Sequence, residues 1–508
     1  MRRLLQGLLA TMLLLTATAS AGLNKLTADV RAWRSAHEAE VVGRLEALTR
    51  LPSVAAQPQG LVATADKLSG FLKERGFATQ LLTSGEGVPA VVYGELKTPG
   101  AKRTVVFYAH YDGQPVVPSQ WKTPPFEPVM RSGMLEAPIV DWKAAKGPLD
   151  PQWRLFGRAT SDDKASIVAF LSAFDALKAA HRKPSVNIKV VWEGEEEAGS
   201  PHLQAILRAN RTLLAADLWL IGDGPVHQSR RPSLYFGARG SLGLEATVYG
   251  PIRPLHDGHY GNWVPNPAAM AAELIAQLRD GDGHILIPGF SEPVRPLTPA
   301  EHAALDALPN VEDGLKTQFG IGRAESGERL ADSLMRPAIN IRGILAGGVG
   351  ADANNAIPTE AAVSIDFRLV PDQTPAGVKA AVESYLTSKG WSVVHTPPDA
   401  ATRMAHPKVI YLDWDGGYPG LRTSMSEPVS LAVIAAGGRA FDRPLVLLPM
   451  MGGSVPIYLF KDVFNVPIIG LPIANHDNSQ HAPNENLRLQ NLWDGIDLYA
   501  HMMGDLTW

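Results

Sequence analysis

Uninterrupted apolar runs alternate with helical patterns along the first half of the chain. The runs occupy residues 90–93, 104–109, 186–192 and 218–221. Segments in which apolar residues recur at helical spacing begin near residues 24, 65 and 167, and Gly76 ends the second of them. Strands that are apolar throughout and are separated by helices are typical of a parallel sheet with helices on both faces. The pattern therefore predicts an α/β domain with a mostly parallel sheet.

The pattern changes in the middle of the chain. Residues 242–249 alternate between apolar and polar side chains, as in a half-exposed strand, and a helical pattern follows at 266–279. A second strand and helix of this kind are predicted at 361–370 and 374–390. These elements indicate a smaller α+β layer. Residues 280–337 contain several prolines and glycines and are predicted as loops that decorate it.

The α/β pattern resumes near residue 427. A helix through Ala436 is followed by two strands and a final helix, predicted at 445–448, 467–471 and 487–503. A chain of 508 residues is longer than one hydrophobic core usually organises, so two domains are expected. The sequence predicts a discontinuous main domain and one inserted domain, with the main domain at 22–238 and 421–508 and the insert at 239–420.

The first residues depart from this globular pattern. Two arginines precede an apolar run at 4–16, and Ala19, Ser20 and Ala21 follow, which is the pattern of a signal peptide cleaved after Ala21. A buried first helix or a membrane anchor is the alternative, but the run is shorter than the roughly 20 residues that span a bilayer. The chain has no cysteine, so neither disulfides nor a lipidated thiol are available. These features predict an exported, periplasmic protein without a stable membrane anchor.

Charge excludes one class of partner. The formal net charge is −4 and no block of lysine or arginine is present, which argues against nucleic-acid binding. We therefore expect small-molecule partners.

Polar clusters follow three of the predicted strands. His110 and Asp112 come directly after 104–109, and Asp223 follows 218–221. Residues 193–197, which include four glutamates, follow 186–192. The carboxyl ends of parallel strands meet at one edge of the sheet, so we expect these side chains to lie close together. Four carboxylates there are electrostatically costly unless cations bind, although a solvated acidic loop is the alternative.

Two further clusters precede helices. Asp162 lies just before the helix near 167, and His481 lies before the last helix. Taken singly, such residues have plain structural explanations, since acidic groups complement helix N-termini and aspartate is common in turns. Taken with the strand-end clusters, they complete a set of histidines and carboxylates suited to a pair of divalent ions.

In this order and with these neighbours, the clusters resemble those of the co-catalytic dizinc peptidase family. It includes carnosinase-like dipeptidases, carboxypeptidase G and succinyl-diaminopimelate desuccinylase. The resemblance extends over nearly the whole mature chain. It implies a catalytic domain, an inserted lid and dimerisation domain, a homodimer, and two divalent ions per chain, zinc first and manganese or cobalt otherwise. Aspartate at position 223 places the chain nearest to the dipeptidase branch.

The resemblance also implies individual roles. Glu196 occupies the position of the general base, and Asp112 orients His110. The metal ligands are implied to be His110, Asp162 as the bridging carboxylate, Glu197, Asp223 and His481. The chemistry agrees, because two metals can lower the pKa of a bridging water while a nearby carboxylate takes its proton.

The insert carries further positions of this family. His256 is implied to stabilise the developing oxyanion and Arg368 to bind the substrate carboxylate. In the second part of the main domain, Gly453 and Ser454 resemble a family loop near the substrate. Without the resemblance, an isolated histidine or strand arginine is better explained as structural. Many relatives have serine where this chain has Asp257, so we expect the added charge to act on His256 or on substrate choice.

The predicted function is metal-dependent hydrolysis of dipeptides or similar small peptides. An N-acyl-amino-acid hydrolase or a carboxypeptidase with the same metals is the alternative. A catalytically silent binding protein would lack a ligand or the base, and all of these residues are present. A serine hydrolase is disfavoured, because no G-x-S-x-G elbow follows a suitable strand.

Overall fold

A computed structural model describes residues 24–455 and 457–508, so the predicted signal peptide at 1–21 lies outside the described residues. The chain forms two compact units. The first contains the described residues up to Tyr235, together with Ser424–Leu447 and Leu459–Trp508. The second contains Phe236–Thr423 and Leu448–Tyr458.

An eight-stranded sheet organises the first unit. In spatial order its strands are Ala78–Leu82, Val91–Leu96, Asn187–Glu193, Thr104–His110, Leu218–Ile221, Ile468–Gly470, Ser233–Tyr235 and Val446–Leu448. The third to sixth strands in this order are parallel to one another, whereas the first two run antiparallel to their neighbours. The predicted, mostly parallel sheet is confirmed at its centre, which is the part that carries the polar clusters.

Several helices accompany this sheet. They are Lys25–Thr49, Pro58–Glu74, Lys164–Ala179, Leu203–Ala209, Arg211–Leu214, Pro428–Arg439, Tyr458–Phe464 and Leu489–Gly504. Lys164–Ala179 is buried along nearly its whole length. Its Phe170 packs on Phe107 and Trp192 of the sheet, with ring centroids 5.2 and 5.7 Å apart. The N-terminus of this helix, next to Asp162, is therefore held firmly against the sheet.

The first unit also has a small three-stranded sheet formed by Asn486–Arg488, Arg154–Phe156 and Val129–Arg131. Its central strand pairs antiparallel with both neighbours. This pairing joins the segment before Asp162 to the segment after His481.

The second unit is built on a five-stranded sheet. In spatial order its strands are Ala338–Leu345, Glu360–Leu369, Gly240–Tyr249, Val409–Trp414 and Ser392–Val394. Alternate side chains of the two longest strands enter a common core with the helices Pro267–Leu278 and Pro375–Ser388. Short strand pairs, Leu255–His256 with Ala356–Ile357 and Gly237–Ala238 with Leu421–Arg422, complete the unit.

The prediction of loops at 280–337 is wrong. The segment contains the helices Pro299–Asp306, Glu312–Phe319 and Leu330–Leu334. Thr298 and Glu301 form a capping box at the first of these, with proline in the first turn. Proline at that position starts a helix rather than breaking one. Shorter helices of the unit are Asp257–Tyr260 and Ala400–Ala405.

None of the helices in the described ranges combines the length and the hydropathy needed to cross a membrane.

Candidate metal centre

Six predicted site residues meet at the carboxyl edge of the large sheet. The adjacent parallel strands Asn187–Glu193, Thr104–His110 and Leu218–Ile221 end at this edge. They deliver the glutamate cluster, His110 and Asp223. Asp162 arrives from the loop before the buried helix, and His481 from the loop after Ile468–Gly470. The close approach that the strand pattern predicts is therefore observed.

Imidazole and carboxylate atoms are in direct contact at this edge. His110 Nε2 lies 3.0 Å from Asp162 Oδ1, and both side chains are almost wholly buried. His481 Nε2 lies 3.2 Å from Asp162 Oδ2 and 3.2 Å from Glu197 Oε2. Asp162 thus stands between the two histidines, as a bridging carboxylate would.

Two overlapping groups have the arrangement of a metal site. They are His110, Asp162 and Glu197, and His110, Glu196 and Asp223, and in each the candidate ligand atoms lie within 4.8 Å of one another. Zinc takes imidazole nitrogen and carboxylate oxygen as ligands, and it needs several such atoms gathered around one point. The donor types and their spacing therefore fit divalent cations. The second group places Glu196, the predicted base, among possible ligands.

Asp112 connects the histidine to the glutamate loop. Its Oδ1 lies 3.3 Å from His110 Nδ1 and accepts the backbone N–H of Glu196 at 3.2 Å. Its Oδ2 accepts the backbone N–H of Glu197 at 3.0 Å. The carboxylate therefore contacts the His110 ring and binds the backbone of both glutamates.

Burial and crowding act on the protonation of the cluster. Burial raises the pKa of Asp223 to about 7, and the neighbouring Asp162 carboxylate adds to the rise. Burial alone would raise the pKa of Asp162, but hydrogen bonds with the two histidines hold it well below its ordinary value. Hydrogen bonds with Asp162 and Glu197 raise the pKa of His481 to about 10. The site favours positive charge among its carboxylates.

Two residues of the site were missed by sequence reasoning. Gln114 donates from Nε2 to Glu197 Oε2 at 2.7 Å. Glu485 is fully buried and accepts the backbone N–H of Asp162 at 3.1 Å. Gln114 follows Asp112 by two residues and Glu485 follows His481 by four, so proximity to the motifs was the only available signal.

The predicted substrate residues Arg368, Gly453 and Ser454 belong to the second unit, although the sequence predicts Gly453 and Ser454 in the main domain. Arg368 donates from Nη1 to Ser454 Oγ at 2.8 Å and from Nε to Asp366 Oδ2 at 2.7 Å. The structure therefore brings Arg368 and Ser454 together. Gly453 is exposed beside them.

His256 is half exposed and begins the short helix Asp257–Tyr260. Its Nδ1 accepts the backbone N–H of Gly258 at 3.1 Å and lies 3.6 Å from Asp257 Oδ1. Both side chains reach solvent, so the contact between them is weak.

Comparison with known proteins decides the family. Residues 106–505 match peptidase family M20/M25/M40. The chain belongs to this family. It is 27% identical to the Cys-Gly metallodipeptidase of Schizosaccharomyces pombe, with 92% of this chain and 96% of the relative covered. It is 25% identical to the beta-Ala-His dipeptidase of Rattus norvegicus, with 93% and 94% covered.

Solved structures agree with this assignment. An M20 family metallo-carboxypeptidase from Sulfolobus solfataricus is 27% identical and superposes with a TM-score of 0.73, covering 91% of this chain and 98% of the other. Human carnosine dipeptidase 1, at 23% identity and a TM-score of 0.73, shares the fold over 94% and 98% of the two chains. The predicted family, the α/β fold and metal-dependent hydrolysis of peptide amide bonds are confirmed.

The comparisons correct the predicted location. Relatives that cover 91–93% of the chain come from yeasts and rodents, whose cells have no bacterial envelope. Periplasmic export has no support among them, and its prediction is wrong.

Proposed function

We propose that the protein is a dipeptidase that uses two divalent metal ions, with zinc as the first candidate. The convergence of His110, Asp162, Glu197, Asp223 and His481 at one sheet edge carries this proposal. The names of the relatives support the substrate class, since they are dipeptidases of Cys-Gly and beta-Ala-His. These five residues would hold the metals.

When bound, two divalent ions polarise the scissile carbonyl and lower the pKa of a bound water. Glu196 would act as the general base, taking a proton from the attacking water and giving it to the leaving amine. Asp112 keeps the His110 ring and the Glu196 backbone in a fixed relation through Oδ1, and it holds the Glu197 backbone through Oδ2. Gln114 holds the Glu197 carboxylate by its hydrogen bond.

The second unit supplies substrate recognition in this proposal. Arg368 grips the substrate carboxylate, because a guanidinium presents paired donors to a carboxylate. Its Nη1 and Nε are oriented by Ser454 and Asp366. Residues 239–420 act as the lid and dimerisation domain of a homodimer, in which His256 stabilises the oxyanion.

A carboxypeptidase with the same metals is the second candidate. The observation in its favour is the structural match to the Sulfolobus solfataricus metallo-carboxypeptidase, at the same 27% identity as the yeast dipeptidase. Both activities need the same hydrolytic centre, so they differ only in what precedes the scissile bond.

One substrate panel separates the candidates. The purified protein is assayed on free dipeptides, the same dipeptides with an acylated N-terminus, and tripeptides. A dipeptidase cleaves the first set and loses most turnover on the others. Preference for acylated dipeptides or for longer peptides would favour the carboxypeptidase or acyl-hydrolase. Full activity in a verified metal-free sample would refute metal-dependent catalysis.

A further inference from the structure

One buried carboxylate joins the loops that carry Asp162 and His481. Glu485 has no exposed surface and lies four residues after His481. Its Oε1 accepts the backbone N–H of Ser161 at 2.9 Å, the Ser161 hydroxyl at 2.9 Å and the backbone N–H of Asp162 at 3.1 Å. This oxygen therefore sits against the backbone of the predicted bridging ligand.

The second oxygen completes the connection. Glu485 Oε2 accepts the backbone N–H of Ala159 at 2.9 Å and pairs with Arg158 Nη1 at 2.9 Å. The Glu485 carbonyl accepts the backbone N–H of Gly157 at 2.9 Å. Arg158 also donates to the Ala482 carbonyl at 3.3 Å. Residues 157–162 are thus wrapped around one side chain of the His481 loop.

Both loops have backbone conformations that need such support. Ala159 has φ of 62°, His481 of 60° and Asn484 of 64°. Side chains other than glycine rarely adopt this left-handed region, and they persist there only when surrounding contacts fix them. Glu485 lies in the His481 loop itself, and its hydrogen bonds hold the loop that leads to Asp162.

We propose that Glu485 is a positioning residue of the metal centre, which sets the separation of Asp162 and His481 by accepting five hydrogen bonds from residues 158–162. This inference rests on the ligand roles given to Asp162 and His481 in the proposed function. Asp162 Oδ2 and His481 Nε2 lie 3.2 Å apart, so a small shift of either loop changes their geometry.

Only a carboxylate suits this position. All five partners are donors, and an ionised carboxylate is a pure acceptor with two oxygens. A glutamine of the same shape has one acceptor oxygen and turns its NH₂ group towards donors. Glu485→Gln therefore loosens the loops while it changes little volume.

The test measures metal affinity rather than activity alone. Zinc binding is followed by competition with a chromophoric chelator, at a temperature well below unfolding of each variant. We expect Glu485→Gln to lower the affinity by about tenfold to a hundredfold, the usual effect of removing a group that orients metal ligands. Turnover measured at saturating zinc should recover in part, because added metal offsets weak binding.

A matched control separates positioning from stability. Glu301 in the second unit is 2% exposed, pairs with Arg422 Nε at 2.8 Å and accepts the backbone N–H of Thr298 at 2.6 Å. Glu301→Gln removes the same kind of buried pair far along the chain from the ligands. It should leave zinc affinity at the wild-type value even where it lowers the unfolding temperature.

A milder variant covers failure of Glu485→Gln to fold. Ser161→Ala removes one hydroxyl donor and keeps every backbone contact. Because only one hydrogen bond is removed, we expect a loss of zinc affinity of about threefold to tenfold, smaller than for Glu485→Gln. Wild-type zinc affinity in the folded variants, with normal binding by the wild type, would overturn the role of Glu485. Failure of the wild type to bind zinc would instead refute the proposed function.

Discussion

The contacts of Asp112 make Asp112→Asn the sharpest test of the site. The carboxylate is 4% exposed and its two oxygens face three nitrogen atoms. These are the backbone N–H groups of Glu196 and Glu197, at 3.2 and 3.0 Å, and His110 Nδ1 at 3.3 Å. Asparagine keeps the shape, but replaces one acceptor oxygen with an NH₂ group.

The size of the effect follows from these contacts. At least one of the two glutamate N–H groups then faces a donor instead of an acceptor. Leaving a buried donor unpaired costs about 1–3 kcal/mol. At about 1.4 kcal/mol for each factor of ten, this cost lowers the population of the metal-binding loop conformation by about fivefold to 150-fold. We expect metal affinity and kcat/KM each to decrease by a factor within this range.

The assay is chelator competition for metal affinity together with kcat/KM at saturating metal. Asp217→Asn is the matched control, because Asp217 Oδ2 accepts the backbone N–H of Thr104 at 2.8 Å and Oδ1 pairs with Arg103 at 3.0 Å. It acts at the opposite end of the strand that delivers His110. The reasoning fails if both variants behave alike.

Further predictions concern the adjacent glutamates Glu196 and Glu197, and the buried carboxylate of Asp497, which pairs with Arg31. Glu196→Gln should keep about two metals per chain and lose turnover at least about a hundredfold, whereas Glu197→Gln should lose metal; the reverse result would exchange their roles. Burial raises the pKa of Asp497 to about 6, against the opposing charges of Arg31 and Arg34. Because this pKa is higher in the folded than in the unfolded protein, the free energy of unfolding is highest below pH 4. It decreases between pH 4 and 6 by up to about 3 kcal/mol as the carboxyl group of the unfolded chain ionises first. Asp497→Asn should make the free energy of unfolding, measured by denaturant unfolding, depend less on pH between pH 4 and 6. The same pH dependence in the variant and the wild type would contradict this.

The metal-ligand candidates could be predicted because they directly follow apolar strands. His110 ends one buried strand, and Asp223 comes two residues after the adjacent parallel strand. Parallel pairing then brings such residues to one edge without any knowledge of the loops. The fold class follows from the same pattern, since apolar runs and helical spacing are properties of local sequence.

Contacts between distant segments could not be predicted in this way. The hydrogen bonds of Glu485 join residues more than 320 positions apart, and nothing in the sequence near Asp162 indicates its partner. The helices at 280–337 were missed for another reason. Prolines were interpreted as breaks, although Pro299 stands in the first turn of a helix.

The glutamate run shows how the electrostatic argument from sequence must be refined. The sequence pattern predicts that the four carboxylates of residues 193–197 require cations, but two of them have other partners. Glu193 accepts the Tyr108 hydroxyl at 2.7 Å, and burial raises its pKa to about 7. Glu195 contacts His202 Nδ1 at 2.9 Å.

The cation requirement therefore rests on fewer acidic groups than the sequence suggests. Glu196 and Glu197 join Asp162 and Asp223 around the two histidines. Asp112 is not a ligand candidate here, because its oxygens face backbone N–H groups and His110. Burial raises the pKa of Asp223 to about 7, and hydrogen bonds with Asp162 and Glu197 raise the pKa of His481 to about 10. Both shifts show that the site holds positive charge favourably, as expected where carboxylates are crowded in a buried site. A divalent cation would supply this positive charge, which is the role given to metal ions in the proposed function.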